Sequence, residues 1–208
     1  KEFSIKDEHT IYYGISNIKM TGDKEAETVL SWLKEIENPV WLDILFGLGE
    51  TLKSASLENL ALSGFFKIPN ISRQRMVYEY KTYRKLTNKE IEWMRNRKSR
   101  FNTLKDGLVG LIEAFKNGDK DKGISRKDRV PKIEDLVKTL ENPPHSLEDT
   151  PITINRNEKE LLGVALTYSD IEARTLCGIE TNTTCNEFNE GKNSKGMSIA
   201  VSLTKVKE

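Results

Sequence analysis

The sequence predicts a mainly α-helical fold, a multi-helix globular domain with a small antiparallel β element formed by the terminal strands. Apolar residues recur every three to four positions through the middle of the chain, and helix-capping patterns precede some of these runs. Near the two ends, apolar and polar residues alternate instead, which is typical of half-buried strands. Apolar residues make up 37% and charged residues 31% of the chain, which is enough apolar content for a folded core.

The two predicted strands lie at opposite ends of the chain. At the N-terminal end, residues 11–20 place Ile11, Tyr13 and Ile15 on alternate positions. At the C-terminal end, residues 197–204 alternate Met, Ile, Val and Leu with small or polar residues. Because an isolated two-stranded hairpin is only marginally stable in water, we expect the helices to cover the apolar face of this pair.

Three helices are predicted before residue 65. The first covers 24–37, begins after the capping residue Asp23 and ends at Asn38-Pro39, because the residue before a proline avoids the helical region. The next segment, VWLDILFGLGETL, is apolar on nearly all sides, which predicts a helix in the centre of the core. A shorter helix follows at 56–64.

Residues 72–117 are predicted to form two helices. The break lies at Leu86-Thr87, because Thr87 and Glu90 have the T-x-x-E spacing of a capping box. The second helix is expected to continue to Asn117, with its later half packed against the core. Its apolar stripe consists of Phe101, Leu104, Leu108, Leu111, Ile112 and Phe115.

The remaining segments are less regular. Polar stretches rich in Gly and Pro predict mobile linkers at 118–131 and 143–157, with a helix at 132–142 between them. Residues 157–177 fit a helix or a strand equally well. Taken together, these elements predict one helical domain over residues 1–208.

Several observations limit the setting in which the chain works. It begins with Lys1 rather than Met, so we expect a piece of a longer protein. Two cysteines, Cys177 and Cys185, are too few for a disulfide framework, which favours an intracellular protein of the cytoplasm or nucleus and leaves a bond between them open. The sequons at Asn70 and Asn182 are as frequent as chance predicts and do not establish secretion. No apolar run approaches the ~18–20 residues of a membrane span, so no membrane partner is expected.

No catalytic, metal or cofactor motif is complete in this sequence. Residues 47–54, GLGETLKS, approach the pattern of a phosphate-binding loop, but Leu52 occupies the place of its second glycine. The two histidines and two cysteines lie in separate places without ligand spacing, so no metal and no cofactor are expected. The sequence therefore favours a non-catalytic protein, although an enzyme whose site is assembled from distant residues stays open.

Segment 73–101, RQRMVYEYKTYRKLTNKEIEWMRNRKSRF, is the feature that points to a function. Between residues 71 and 105, eleven basic residues occur with three acidic ones, a local charge of +8. The whole chain carries only +1, so the remainder carries −7. On a helical wheel, Tyr78, Lys81 and Lys85 fall on the side opposite Met76 and Tyr80, which predicts a tyrosine exposed among lysines.

We expect this segment to bind an anionic partner, with RNA or single-stranded nucleic acid as the first candidate. Cations displace counterions from phosphates, and flat rings stack on unpaired bases. The expected phosphate contacts are Arg73, Arg75, Lys81, Arg84, Lys85, Arg95, Arg97, Lys98 and Arg100. The expected stacking rings are Tyr78 and Trp93.

Two other interpretations of the basic segment stay open. It fits an acidic protein surface, in which case the chain is a protein–protein scaffold or a regulatory helical module. It also fits a solvated face whose charge is neutralised by carboxylates of the same chain. In that case the nucleic-acid interpretation loses its basis. The sequence does not indicate an oligomeric state.

Overall fold

The computed structural model describes residues 4–7, 10–118 and 127–178. This part of the chain is mainly helical, which confirms the predicted fold class at that level. The chain divides into two compact units, Lys1–Glu148 and Asp149–Glu208. Nine α-helices occur among the described residues: α1 (Asp23–Glu35), α2 (Trp41–Leu48), α3 (Ser54–Leu62), α4 (Arg73–Tyr83), α5 (Asn88–Arg95), α6 (Leu104–Asn117), α7 (Val130–Glu141), α8 (Pro151–Leu162) and α9 (Asp170–Leu176).

The β element differs from the predicted one. A short antiparallel hairpin joins β1 (Ser4–Asp7) to β2 (Thr10–Tyr12). The predicted sheet between the two terminal segments is not supported, because residues 13–20 contain no strand and residues 197–204 lie outside the described part of the chain.

The helix after Thr87 is shorter than predicted. α5 begins at Asn88 with the expected capping box, in which the Thr87 and Glu90 side chains each accept a backbone N–H of the other residue. However, the prediction of one continuous helix to Asn117 is wrong, because α5 ends at Arg95. A second capping box, formed by Thr103 and Asp106, starts α6 after a 3₁₀ turn.

α2 lies in the centre of the first unit, as its apolar sequence predicts. Ile44, Leu45 and Leu48 are fully or almost fully buried. They lie in a core that also contains Leu57 and Leu60 of α3, Tyr80 and Tyr83 of α4 and Met94 of α5. Burying a leucine side chain contributes about 1.5–3 kcal/mol, so this cluster provides much of the hydrophobic stabilisation of the unit.

The other side of the first unit is built by α6 and α7, which pack against each other. Both helices bury one apolar stripe, with Leu108 and Leu111 from α6 and Ile133 and Leu140 from α7. Gly118 follows the last residue of α6, and its φ of +66° is the left-handed conformation that favours glycine at a helix C-terminus.

The second unit contains the helical hairpin of α8 and α9, so residues 157–177 are helical on both sides of a turn. Glu158 is almost fully buried and accepts hydrogen bonds from the backbone N–H groups of Leu166 and Thr167, at 2.7 and 2.8 Å, and from the Thr167 hydroxyl, at 2.5 Å. One buried carboxylate thus holds the turn between the helices.

The predicted linkers are only partly described. Residues 119–126 lie outside the described part, and the rest of the 118–131 segment includes a 3₁₀ turn and the start of α7. Of the segment 143–157, residues 143–150 lie outside helices and the remainder belongs to α8. None of the helices in the described part combines the length and hydrophobicity needed to cross a bilayer.

Candidate functional site

The basic residues of α4 are largely engaged within the first unit. Arg75 Nε donates to Glu79 Oε1 at 2.7 Å, and Lys81 Nζ lies 3.4 Å from Glu58 Oε2. Arg73 donates to the Leu62 carbonyl at 3.3 Å. Two of the predicted phosphate contacts on this helix are therefore neutralised by carboxylates of the same chain.

The same holds for two cations beyond α4. Arg95 forms an ion pair with Glu50, and Lys98 forms one with Asp43. At least four of the nine predicted phosphate contacts are paired with acids of the first unit, so the described residues do not form the expected continuous strip of uncompensated charge. The acids come from α2, the turn after it, α3 and α4.

Both predicted stacking rings are less accessible than expected. Tyr78 is half-buried, and its hydroxyl donates to the Thr139 carbonyl at 2.9 Å. The prediction that Trp93 is exposed is wrong, because only 5% of Trp93 is exposed. The chain changes direction between α5 and α6. As a result, Phe101 stacks on Trp93, with ring centroids 6.0 Å apart.

Arg84 and Lys85 remain open to solvent at the end of α4. Neither forms an ion pair with a carboxylate among the described residues. Their position after the last turn is favourable in itself, because cations stabilise the partial negative charge of a helix C-terminus.

Arg97 and Arg100 are brought together at an open polar pocket of about 580 Å³, which Trp93 and Phe101 also line. The guanidinium carbon of Arg97 lies 4.6 Å from the centroid of the Trp93 ring, within the range of a cation–π contact. Arg100 is exposed, and Glu113 is the acidic residue among those that line the pocket.

Gly110 of α6 shapes the floor of this pocket. A Cβ atom at this position would lie 3.0 Å from Cε1 and 3.2 Å from Cζ of Phe101. The absence of a side chain therefore lets the Phe101 ring lie close against α6. The sequence singled out both arginines and Trp93, but it predicted Phe101 on a core stripe and did not indicate that Phe101 lines this pocket.

The near match to a phosphate-binding loop has a structural role instead. Residues 47–54 form the end of α2, a turn and the start of α3, and Leu52 is buried in the core.

The hydroxyl of Tyr83 lies close to this turn. Burial, together with the negative charge of Glu50, raises the pKa of Tyr83, which keeps this hydroxyl neutral.

No metal site occurs in the described part of the chain, where no three His, Cys, Asp or Glu side chains are grouped to hold an ion. Cys177 is half-buried after α9, and Cys185 lies outside the described residues. Comparisons with protein-family models, with curated proteins and with solved structures found no match.

Proposed function

We propose that this chain is a non-catalytic interaction domain that binds an anionic partner, with single-stranded RNA as the first candidate, at the pocket of Arg97 and Arg100. The observation that supports the proposal is the position of both arginines around one polar pocket of about 580 Å³. Four of the other predicted contacts are paired with acids, so the site is smaller than segment 73–101.

The chemistry of the pocket suits a phosphodiester backbone. A guanidinium group is planar and its N–H donors fit the oxygens of a phosphate, and Arg97 and Arg100 place two such groups at the pocket. Phe101 is half-buried in the same pocket, so part of its ring is open to a neighbouring base. Glu113 repels an approaching phosphate, which limits the affinity of the pocket.

The paired cations can still assist binding at a small cost. The side chains of Arg95 and Glu50 are 43% and 34% exposed, and exposed ion pairs contribute only about 0–1 kcal/mol. Lys98 is also 43% exposed, although its partner Asp43 is only 12% exposed. A phosphate can replace such a carboxylate with little loss of stability. These two residues therefore extend the pocket rather than form its centre.

The experiment compares two double variants with matched charge. A labelled oligouridylate is titrated by fluorescence polarisation against the parent, Arg97→Ala/Arg100→Ala and the control Lys116→Ala/Lys138→Ala, which removes two exposed lysines of α6 and α7. We expect the pocket variant to bind at least about tenfold more weakly, because charged hydrogen bonds contribute ~1.5–3 kcal/mol each.

The salt dependence provides a second measurement. Each phosphate contact on a single strand contributes about −0.7 to the slope of log affinity against log salt, so loss of two contacts reduces the slope by ~1.4. An unchanged slope and affinity in the pocket variant would contradict the proposal. Equal weakening in the lysine control would show that net charge, and not the pocket, determines binding.

An acidic protein segment is the second candidate partner. The observation that favours it is the low accessibility of the rings, since Trp93 is buried and the Tyr78 hydroxyl is bonded to Thr139. Arginine pairs with carboxylates as readily as with phosphates. A polyglutamate peptide that binds the pocket more tightly than the oligouridylate would support this candidate. Both candidates are consistent with an intracellular protein, which stays part of the proposal.

A further inference from the structure

One face of α6 forms a side of the Arg97 and Arg100 pocket that a phosphate alone does not use. Gly110, Glu113 and Asn117 line this pocket. They follow one another at intervals of three and four residues along α6, which places them in one row on the helix surface. The row adds a carboxylate and an amide to the two arginines. The pocket therefore suits a ligand that carries hydrogen-bond donors as well as negative charge.

The Glu113 carboxylate is available to such a ligand. Glu113 is exposed, and its carboxylate forms no ion pair or hydrogen bond among the described residues, although two arginines line the same pocket. The nearby Lys116 pairs with Glu134 of α7 instead, at 3.1 Å. An ionised carboxylate only accepts hydrogen bonds, and its two oxygens lie side by side. Glu113 therefore repels a phosphate but favours a group with two adjacent N–H donors.

Phe101 provides a surface for a base beside this carboxylate. Trp93 stacks against Phe101, and the edge atoms Cε1 and Cζ of the Phe101 ring would lie within 3.2 Å of a Cβ at Gly110. The half-buried ring has a second face that neither contact covers, on which a base can stack. Glu113 follows Gly110 by three residues, about 4.5 Å along the helix axis. The edge of a base stacked on Phe101 is therefore within reach of the carboxylate.

The four RNA bases differ in the donors that their pairing edges offer to Glu113. Guanine has adjacent N–H donors at N1 and N2, so both carboxylate oxygens can accept a hydrogen bond. Uracil has one donor at N3 between two carbonyl oxygens, which a carboxylate repels. Adenine and cytosine each have an amino group next to a ring nitrogen that is itself an acceptor. Two adjacent donors therefore occur on guanine alone.

Asn117 matches the rest of the guanine edge. It follows Glu113 by four residues, about 6 Å along α6. Its side-chain amide is exposed and can donate to the O6 carbonyl, which adjoins N1 of guanine. The row on α6 thus offers two acceptors and then a donor, and the guanine edge offers two donors and then an acceptor.

We propose that the pocket recognises guanine, in single-stranded RNA or in a free guanine nucleotide. Glu113 accepts hydrogen bonds from N1–H and N2–H, Asn117 donates to O6, and Phe101 stacks on the base. The phosphate lies at Arg97 and Arg100, so guanine recognition rests on the function proposed above for these arginines. The pocket volume of about 580 Å³ lies in the ~300–1,000 Å³ range of small-molecule sites.

The test varies one base in a constant strand. A labelled short oligouridylate and three strands whose central uridine is replaced by guanosine, inosine or adenosine are titrated by fluorescence polarisation against the unmodified chain. We expect the guanosine strand to bind at least about fivefold more tightly than the oligouridylate, with inosine, which lacks the N2 amino group, in between. Equal affinity for guanosine and uridine, or a preference for adenosine over guanosine, would overturn the proposal.

Glu113→Gln tests the carboxylate separately from the arginines. The variant keeps the size of the side chain but replaces one acceptor oxygen with an amide donor. We expect the ratio of guanosine to uridine affinity to fall to about one, and the oligouridylate itself to bind more tightly because a negative charge is removed. Glu27→Gln, at an exposed acid of α1, is the matched control and should keep the ratio of the parent. An unchanged ratio in Glu113→Gln would overturn the role of the carboxylate.

Two further results separate guanine recognition from the function proposed above. Binding of every strand that depends on Arg97 and Arg100 but not on the central base would overturn guanine recognition and leave the proposed function intact. Loss of all oligonucleotide binding would overturn both. Competition with GMP and AMP identifies the source of the base. Displacement of the guanosine strand by GMP but not by AMP would support a free nucleotide, and a guanosine preference that GMP does not compete for would support RNA.

Discussion

Glu90 and Arg129 form a bidentate ion pair, with Arg129 Nε 2.6 Å from Oε1 and Nη2 2.8 Å from Oε2 of the carboxylate. Glu90 is 2% exposed, and its Oε2 also accepts the backbone N–H of Thr87 at 2.7 Å. One carboxylate thus caps α5 and holds the residue that precedes α7, although the two residues are 39 positions apart.

Removing one partner of this pair should strongly destabilise the first unit. Arg129→Ala leaves a buried carboxylate without its countercharge, so we expect a loss of about 3–5 kcal/mol in the free energy of unfolding by urea. Lys138→Ala is the control, because Lys138 and Asp135 form an exposed pair at 3.9 Å. A loss below about 1 kcal/mol for Arg129→Ala would show that solvent already screens the pair.

Gly47 should not tolerate a side chain. A Cβ atom there would lie 2.2 Å from Nε1 and 2.5 Å from Cε2 of Trp32, so the indole must move. We expect Gly47→Ala to destabilise by about 1–3 kcal/mol in urea unfolding, despite the higher helix propensity of alanine. In a Trp32→Ala background, Gly47→Ala should be neutral or stabilising. The same loss of unfolding free energy in both backgrounds would show that the Trp32 side chain is not what obstructs a Cβ at position 47.

Stability should fall at alkaline pH because of Tyr83 and Tyr80. Burial is the main cause that raises the pKa of each hydroxyl above its usual value. Above about pH 10 the unfolded chain loses these protons while the folded chain keeps them, so stability present at neutral pH declines, by at most ~1.4 kcal/mol per pH unit for each group.

Tyr83→Phe tests this alkaline effect directly. We expect urea unfolding of the variant to show a smaller decline above about pH 10 than the parent, with little change at neutral pH because the buried hydroxyl has no hydrogen-bond partner among the described residues. Tyr12→Phe, at a position that is 52% exposed, is the control. Identical alkaline profiles of Tyr83→Phe and the parent would exclude Tyr83 as the cause.

Glu158 should be essential for the turn of the second unit. Glu158→Ala removes the acceptor of two backbone N–H groups and one hydroxyl, so we expect about 1–3 kcal/mol of destabilisation for this unit. Hydrogen exchange at the amides of Leu166 and Thr167 measures the loss of these hydrogen bonds at the turn itself. Both amides should exchange faster in the variant than in the control Asn157→Ala, and unchanged protection would contradict the assignment.

Local patterns predicted much of the helical architecture. The Thr87-x-x-Glu90 spacing identified the start of α5, and the apolar run 40–52 identified the central helix, because both signals act within a few residues. Thr103 and Asp106 have the same kind of spacing and mark the start of α6. The prediction of one continuous helix missed this signal. It therefore also missed the change of chain direction that places Phe101 against Trp93.

The candidate site was harder to predict because its electrostatics depend on distant residues. Glu50 and Asp43 lie 45 and 55 positions from Arg95 and Lys98, and no local pattern reports such pairs. The residues of α6 that line the pocket have the spacing of one helix face in the sequence. That this face borders a pocket depends on α5 and the turn after it, which only tertiary packing brings against α6.

The contacts of α4 and α5 with the C-terminal part of the first unit determine how far the chain can be truncated from its C-terminal end. Tyr78 and Arg75 donate to carbonyls of Thr139 and Leu140, and Glu90 depends on Arg129. A truncated product that ended at Asn117 would expose the apolar faces of α6 and leave the Glu90 carboxylate buried without a cation. Recombinant fragments meant for binding assays should therefore retain α7, since a shorter one would aggregate before its affinity could be measured.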